Sequence, residues 1–290
     1  KNRLTQLGYQ RLPGAKSMLL PFVIGTTHCS NVAAWLPGSC DEVIVLGAHF
    51  DHIGFGEESS VTRQADDNIY NGANDNASGV AGILEVARTL KNERGQVRSL
   101  VIVAFDAEEK GLHGSADFSK KMNELLCGKR VVAMVNLDMI GQMPDGAYKV
   151  MGSDSSNELT KTLDNCAKKV GANWINDGYI PLSDHHNFYI KKIPVLFFFS
   201  GINEHYHGPN DESNTLNYSN MMKFTVFLTD IIRNLTKSSD AINFNEISNE
   251  ITSKSLKKIK ISASTIDLGI NCNDNYEVTM TYSYGKLKDF

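Results

Sequence analysis

The sequence predicts an α/β fold with a mostly parallel, mixed central sheet and helices on both faces. Two observations carry this. Short β-branched runs without polar breaks recur along the chain, as strands buried on both faces require. Between them stand segments with apolar residues at helical spacing, so strand and helix alternate. A chain of 290 residues with 41% hydrophobic residues is long enough for one large domain of this kind plus an appendage.

Residues 31–36 and 42–48 are apolar runs around Pro37-Gly38-Ser39, which reads as two strands and a turn. If 36–41 is a hairpin turn, Cys29 falls opposite Ala48 and far from Cys40, so that pair is expected to be unbridged. The five cysteines are scattered and form no C-x-x-C, which excludes a zinc knuckle or a redox pair of that type. Residues 77–90 place Val80, Ile83, Leu84, Ala87 and Leu90 on one helical face. Runs 99–105 and 131–137 read as buried parallel strands, with a helix over 115–126 between them. A helix over 157–170 presents Leu159, Leu163, Ala167 and Val170; 193–199 reads as a further buried strand. The unit closes with a helix over 218–235 carrying Met221, Met222, Phe224, Leu228, Ile231 and Ile232.

After Thr236 the composition turns to Ser, Asn and charge, so the main domain is expected over 1–237 and an extension over 238–290. In the extension, 258–262 and 276–282 alternate with period two and read as strands of a small or partial β unit. Lys254, Lys257, Lys258 and Lys260 read as a solvated face. A net charge of −4 gives no footprint for nucleic acid or an anionic membrane surface. No apolar run approaches the roughly 20 residues that span a bilayer. The chain starts at Lys1 without a charged-then-apolar leader, which leaves a mature, a trimmed or a cytosolic chain open.

Five segments carry metal-type side chains in loop-like settings. They hold His49, Asp75, the Glu108-Glu109 pair, Asp138 and His207. His49, the glutamates and Asp138 sit where an apolar run has just ended, the place where ligands bind in open α/β sheets. Two imidazoles and several carboxylates suit two divalent cations sharing a bridging carboxylate. Paired metals generate hydroxide at neutral pH and polarise a carbonyl. Each residue alone also has an ordinary reading. His49 with Asp51 is a ligand and the carboxylate that fixes its tautomer, or a surface histidine. His52 reads as ordinary. Asp75 is a bridging ligand, or a turn or helix-cap carboxylate. Glu108-Glu109 is a base beside a ligand, or a helix start facing the dipole. Asp138 is a ligand or a salt-bridged acid, and His207 a ligand or an exposed loop residue.

Seven stretches occur in a recognisable order. They are Ser30-Asn31-Val32-Ala33, Gly47-Ala48-His49-Phe50-Asp51-His52, and Asn71-Gly72-Ala73-Asn74-Asp75-Asn76-Ala77-Ser78-Gly79. Then come Ala107-Glu108-Glu109-Lys110-Gly111-Leu112-His113-Gly114-Ser115 and Asn136-Leu137-Asp138-Met139-Ile140-Gly141. Ser183-Asp184-His185-His186-Asn187-Phe188 and Tyr206-His207-Gly208-Pro209-Asn210-Asp211 complete the set. Over residues 27–235 the chain resembles the co-catalytic di-zinc aminopeptidases of bacterial leucine-aminopeptidase type, which have a zinc-exopeptidase fold.

The resemblance implies one zinc held by His49, Asp75 and Asp138 and another by Asp75, Glu109 and His207, with a water or hydroxide between them. Three ligand carboxylates and one hydroxide then balance two dications. Nitrogen and oxygen donors suit zinc, with manganese or cobalt as substitutes. Glu108 is implied as general base, Asp51 as partner of His49, and Tyr206 as an oxyanion stabiliser. The peptide after Asp75 is implied to be cis. Asp184 and His185 fall near the substrate cleft without an assigned role, and 54–70 is expected at its rim. The implied activity is hydrolysis at the N-terminal bond of peptides with a free N-terminus, by a secreted or periplasmic enzyme. Oligomeric state is not implied. Glutaminyl cyclases share this fold with a single zinc, and carboxypeptidases or dipeptidases occupy related scaffolds. A non-catalytic binding ectodomain is expected to lack a ligand or the base, and none is missing here.

Overall fold

The computed structural model describes residues 1–55, 69–93 and 95–248, and two strands at 266–272 and 278–284. Strands β1 (Leu19–Ile24), β2 (Thr27–Leu36), β3 (Glu42–His49), β4 (Ser99–Phe105) and β5 (Arg130–Asp138) are followed by β6 (Ala147–Met151), β7 (Asn173–Asn176) and β8 (Val195–Phe199). They form one sheet in the order β1-β2-β4-β3-β5-β8-β6-β7. The inner four, β4, β3, β5 and β8, are parallel to one another. β2 joins β4 antiparallel, and β6 joins β8 antiparallel.

Within residues 1–237 the expected strands and long helices are present, with shifts of a few residues at their ends. The connection at 36–41 is not a hairpin, however. β4 lies between β2 and β3, and Cys29 pairs with Phe22 across β1 and β2. The two apolar runs are neighbours in sequence only, because β3 is buried along nearly all its length and takes a parallel partner on each side. Cys29 and Cys40 are both free thiols.

Alternation along the inner strands divides the core in two. Ile44 and Leu46 of β3 and Leu100 and Ile102 of β4 face one layer. There they meet Ile83 and Val86 of helix α2 (Gly79–Leu90), Leu159 and Leu163 of α4 (Asn157–Val170), and Phe224, Phe227 and Ile231 of α6 (Tyr218–Lys237). A short helix α1 (Asn2–Gln6) adds Leu4 to this layer. Val43, Val45, Val101 and Val103 face the other layer. Phe118 of α3 (His113–Leu125) and Phe188 of α5 (His186–Tyr189) cover it, with Phe105, Phe118 and Phe188 in mutual ring contact. β1, β6, β7, α1 and α5 were not read from the sequence. They are short, β7 is mostly exposed, and the apolar run of β1 is interrupted by Pro21.

Past α6 the chain continues against the domain. Ile242 and Ile247 are buried, and the Ile247 N–H donates to Tyr189 Oη at 2.9 Å. Buried Arg98 donates to the Leu235 carbonyl at 3.0 Å, to Glu42 Oε2 at 2.7 Å and to the Asp240 carbonyl. Strands β9 (Ile266–Cys272) and β10 (Val278–Tyr284) pair antiparallel. The strand expected at 258–262 lies outside the described residues. Among the described residues no helix is long and apolar enough to cross a membrane.

Candidate metal centre

The four parallel strands end on the same side of the sheet, and the candidate residues collect there. His49 is the last residue of β3, and Asp138 is the last of β5. Glu108 and Glu109 follow β4 by three and four residues, and His207 lies in the loop after β8. Asp75 stands between β3 and α2 in a wide turn at Ala73–Ser78, where Asp75 and Asn76 leave helical geometry. The Asp75-Asn76 peptide is cis. The part of the expected rim at 56–68 lies outside the described residues.

Two carboxylate oxygens of one residue organise the centre. Asp75 Oδ1 lies 3.3 Å from His49 Nε2, and Asp75 Oδ2 lies 3.2 Å from His207 Nε2. On the first side Asp138 Oδ1 is 3.2 Å from His49 Nε2. On the second side Glu109 Oε2 is 3.0 Å from His207 Nε2. Glu108 stands further back, its Oε2 4.0 Å from His49 Nε2. Donor atoms of His49, Asp75 and Glu109 lie within 4.8 Å of one another, as do those of His49, Glu108 and Asp138.

Several ordinary readings can now be decided from position. Helix α2 has Ser78 at its N-cap, and Asn76 Oδ1 accepts the Gly79 N–H at 3.0 Å, so Asp75 is not the cap. Glu108-Glu109 does not open a helix: α3 starts at His113, after left-handed residues Ala107, Gly111 and Leu112. His207 is 5% exposed, not a solvent-facing loop residue.

The His49 imidazole is turned by its other nitrogen. His49 Nδ1 donates to the Asp51 carbonyl at 3.2 Å, which leaves Nε2 as the donor atom facing the carboxylates. The Asp51 carboxylate lies 3.7 Å from that Nδ1. Its hydrogen bonds come from the peptide N–H groups of Glu108 at 3.0 Å and Glu109 at 3.2 Å, so it anchors the glutamate turn to β3. The Tyr206 ring stacks on His207, with centroids 3.9 Å apart.

A second set of residues lies in the stretches quoted from the sequence but had no role assigned there. Asp211 accepts the N–H of Asn74 at 2.8 Å on one oxygen and of Asp75 at 2.9 Å on the other. Asn76 Nδ2 donates to the Leu137 carbonyl at 3.0 Å, and its Oδ1 accepts from Met139 N at 3.1 Å. Asn74 Oδ1 accepts from Gly141 N at 2.8 Å. Ser183 Oγ donates to Asp138 Oδ2 at 2.8 Å, turning Oδ1 toward His49. Asp75 is thereby clamped between the end of β5 and the His207 loop. Asn74-Asp75-Asn76 looks like a turn in sequence; its partners, 61 to 137 residues away, leave no local signal.

Electrostatics follow from packing many acids together. Burial opposes charge on His49, yet the negative Asp138 and Glu108 and hydrogen bonds to Asp138 and Asp75 raise its pKa well above the usual imidazole range. Burial likewise opposes His207, and hydrogen bonds to Asp75 and Glu109 hold it at about 10. Burial raises Glu108 well above the usual carboxyl range, with Asp138, Glu109 and Asp184 adding to it against His49. Burial also lifts Asp184 to about 7. An anionic field that retains protons on two buried imidazoles has the sign to hold cations instead. The nitrogen and oxygen donors suit zinc, so the residues fit a pair of divalent ions.

The family model described as Peptidase family M28 matches residues 31–232. Aminopeptidase YwaD of Bacillus subtilis is 28% identical over 179 residues, covering 59% of this chain and 36% of that protein. Among solved structures, BSAP, a zinc aminopeptidase from Bacillus subtilis, superposes with a TM-score of 0.62 at 24% identity, over 78% of this chain and 55% of that one. Porphyromonas gingivalis glutaminyl cyclase superposes with a TM-score of 0.66 at 20% identity, over 81% and 87%. The chain thus spans about a third of YwaD and about half of BSAP. At these identities both superpositions show a shared fold.

Proposed function

The chain belongs to Peptidase family M28, and from that premise we propose that it is a metal-dependent aminopeptidase acting on the N-terminal bond of peptides. The observation that carries the reading is the division of Asp75. One of its oxygens faces His49 and the other faces His207, which is the arrangement a bridging ligand needs. His49, Asp75 and Asp138 would hold one cation, and Asp75, Glu109 and His207 the other. Such a pair supplies an acidified water and a polarised carbonyl when bound.

The remaining work falls to the protein. Glu108 is held beside the ligands but at 4.0 Å from His49, so its carboxylate is left for proton transfer. It takes a proton from the attacking water and returns it to the leaving amine. Asp51 aims the glutamate turn through the two peptide N–H groups. Tyr206, stacked on His207, is the residue we assign to the tetrahedral oxyanion.

The test is release of an N-terminal leucine reporter by protein of measured zinc content, beside its N-acetylated counterpart and a peptide with N-terminal glutamine. We expect about two zinc ions per chain, release that stops with chelator, and no turnover of the acetylated peptide. Equal cleavage of the acetylated peptide would overturn aminopeptidase specificity. Cyclisation of the glutamine peptide without leucine release would replace it with cyclase activity.

A further inference from the structure

His52 has no assigned role in this centre, yet its ring touches three of the segments that build it. Nδ1 lies 2.9 Å from Glu109 Oε1, while the other oxygen of Glu109 faces His207. An ionised carboxylate only accepts, so the Nδ1–H donates. The ring meets that of His207 edge-on, with centroids 5.9 Å apart and planes at 75°. Its third side rests on Gly72, three residues before Asp75. A Cβ at Gly72 would lie 2.6 Å from His52 Cγ and 2.7 Å from Cδ2. Gly72 is also left-handed, at φ +59°, so glycine is required there twice over. The ring itself is nearly buried, its side chain 9% exposed.

We propose that His52 is a positioning residue for Glu109. It ties down Oε1 and presents Oε2 alone toward His207 and Asp75, so that Glu109 serves the second cation through a single oxygen. This rests on the two-metal reading above, and it adds an asymmetry. Among the described contacts His52 touches the Glu109 and His207 side, whereas Asp138 is set by Ser183. Loss of His52 should therefore loosen one cation and spare the other. Hydrogen-bond partners of metal ligands typically change metal affinity by about 10- to 100-fold when removed.

The experiment measures zinc stoichiometry and affinity by competition with a chromogenic chelator, on wild type, His52→Phe and His52→Asn. Phe keeps the ring contacts without the donor, and the Asn amide restores an N–H near the position of Nδ1. We expect two tight sites in wild type. In His52→Phe one site should stay tight while the other weakens about 10- to 100-fold. In His52→Asn the second site should largely recover. Should His52→Phe not fold, His52→Ala is read the same way. Wild type binding fewer than two ions would overturn the two-metal reading itself. If wild type binds two and the Phe variant holds both at wild-type affinity, His52 has no positioning role. An Asn variant as weak as Phe would likewise overturn the hydrogen bond as the cause.

Discussion

At the scale of single residues, neighbours of the same type stand at different distances from the imidazoles, and on that difference rest the separate roles we propose for them. Glu109 reaches to 3.0 Å of His207, and Glu108 stays 4.0 Å from His49. Replacing Glu108 with Gln keeps the volume and removes the proton acceptor. We expect both metals to be retained and turnover to fall by about 10²- to 10⁴-fold, read from metal content and steady-state kinetics on one preparation. Near-normal turnover with both metals present would remove Glu108 as the base. Asp211 makes a different prediction, since it is 1% exposed and serves the backbone. Asp211→Ala leaves the peptide N–H groups of Asn74 and Asp75 without their acceptor. Hydrogen bonds to a charged group contribute about 1.5–3 kcal/mol, so urea unfolding of metal-free protein should show at least a loss of that size. Asp211→Asn, which keeps one acceptor, should recover part of it.

At the scale of elements, the site depends on how closely α2 approaches the end of β5. Gly79 opens that helix, and a Cβ there would overlap Asn76 Oδ1 and lie 2.8 Å from the Leu137 carbonyl. Gly79→Ala should therefore destabilise the fold by about 1–3 kcal/mol through overpacking, despite alanine being the better helix former. A stability equal to or above wild type in urea would show that α2 shifts freely. The late start of α2 has the same origin. Periodicity reads a helix from residue 77, but Ala73–Ser78 winds into a wide turn whose side chains bond Leu137, Met139, Ile140 and Gly141. Those bonds are tertiary, and they override the local helical pattern.

At the scale of the whole molecule, the centre joins four parallel strands and three loops, so bound cations should act as cross-links between distant parts of the chain. Anything that binds only the folded state adds stability by mass action. With free zinc at about a thousand times Kd, each ion adds about 4 kcal/mol, and stripping both should lower the thermal midpoint by roughly ten degrees or more. Thermal scans with and without chelator check this; equal midpoints would mean that no cation is held between these loops. Much of this architecture was readable before any coordinates. The buried runs at 99–105 and 131–137 lack polar breaks, and their ends carry the acids, so both the parallel sheet and the site-bearing edge follow from local pattern. Strand order does not. Residues 31–36 and 42–48 look like a hairpin, and only the insertion of β4 between them, set by which faces of β3 had to be buried, separates the pair. The same division holds within the site. Donor types and their order are properties of the chain, visible as His49, Asp75, Glu108-Glu109, Asp138 and His207. Which oxygen of Asp75 meets which imidazole, and that Asp211, Asn76 and His52 hold the donors in place, depends on contacts across 26 to 136 residues, which only folding creates.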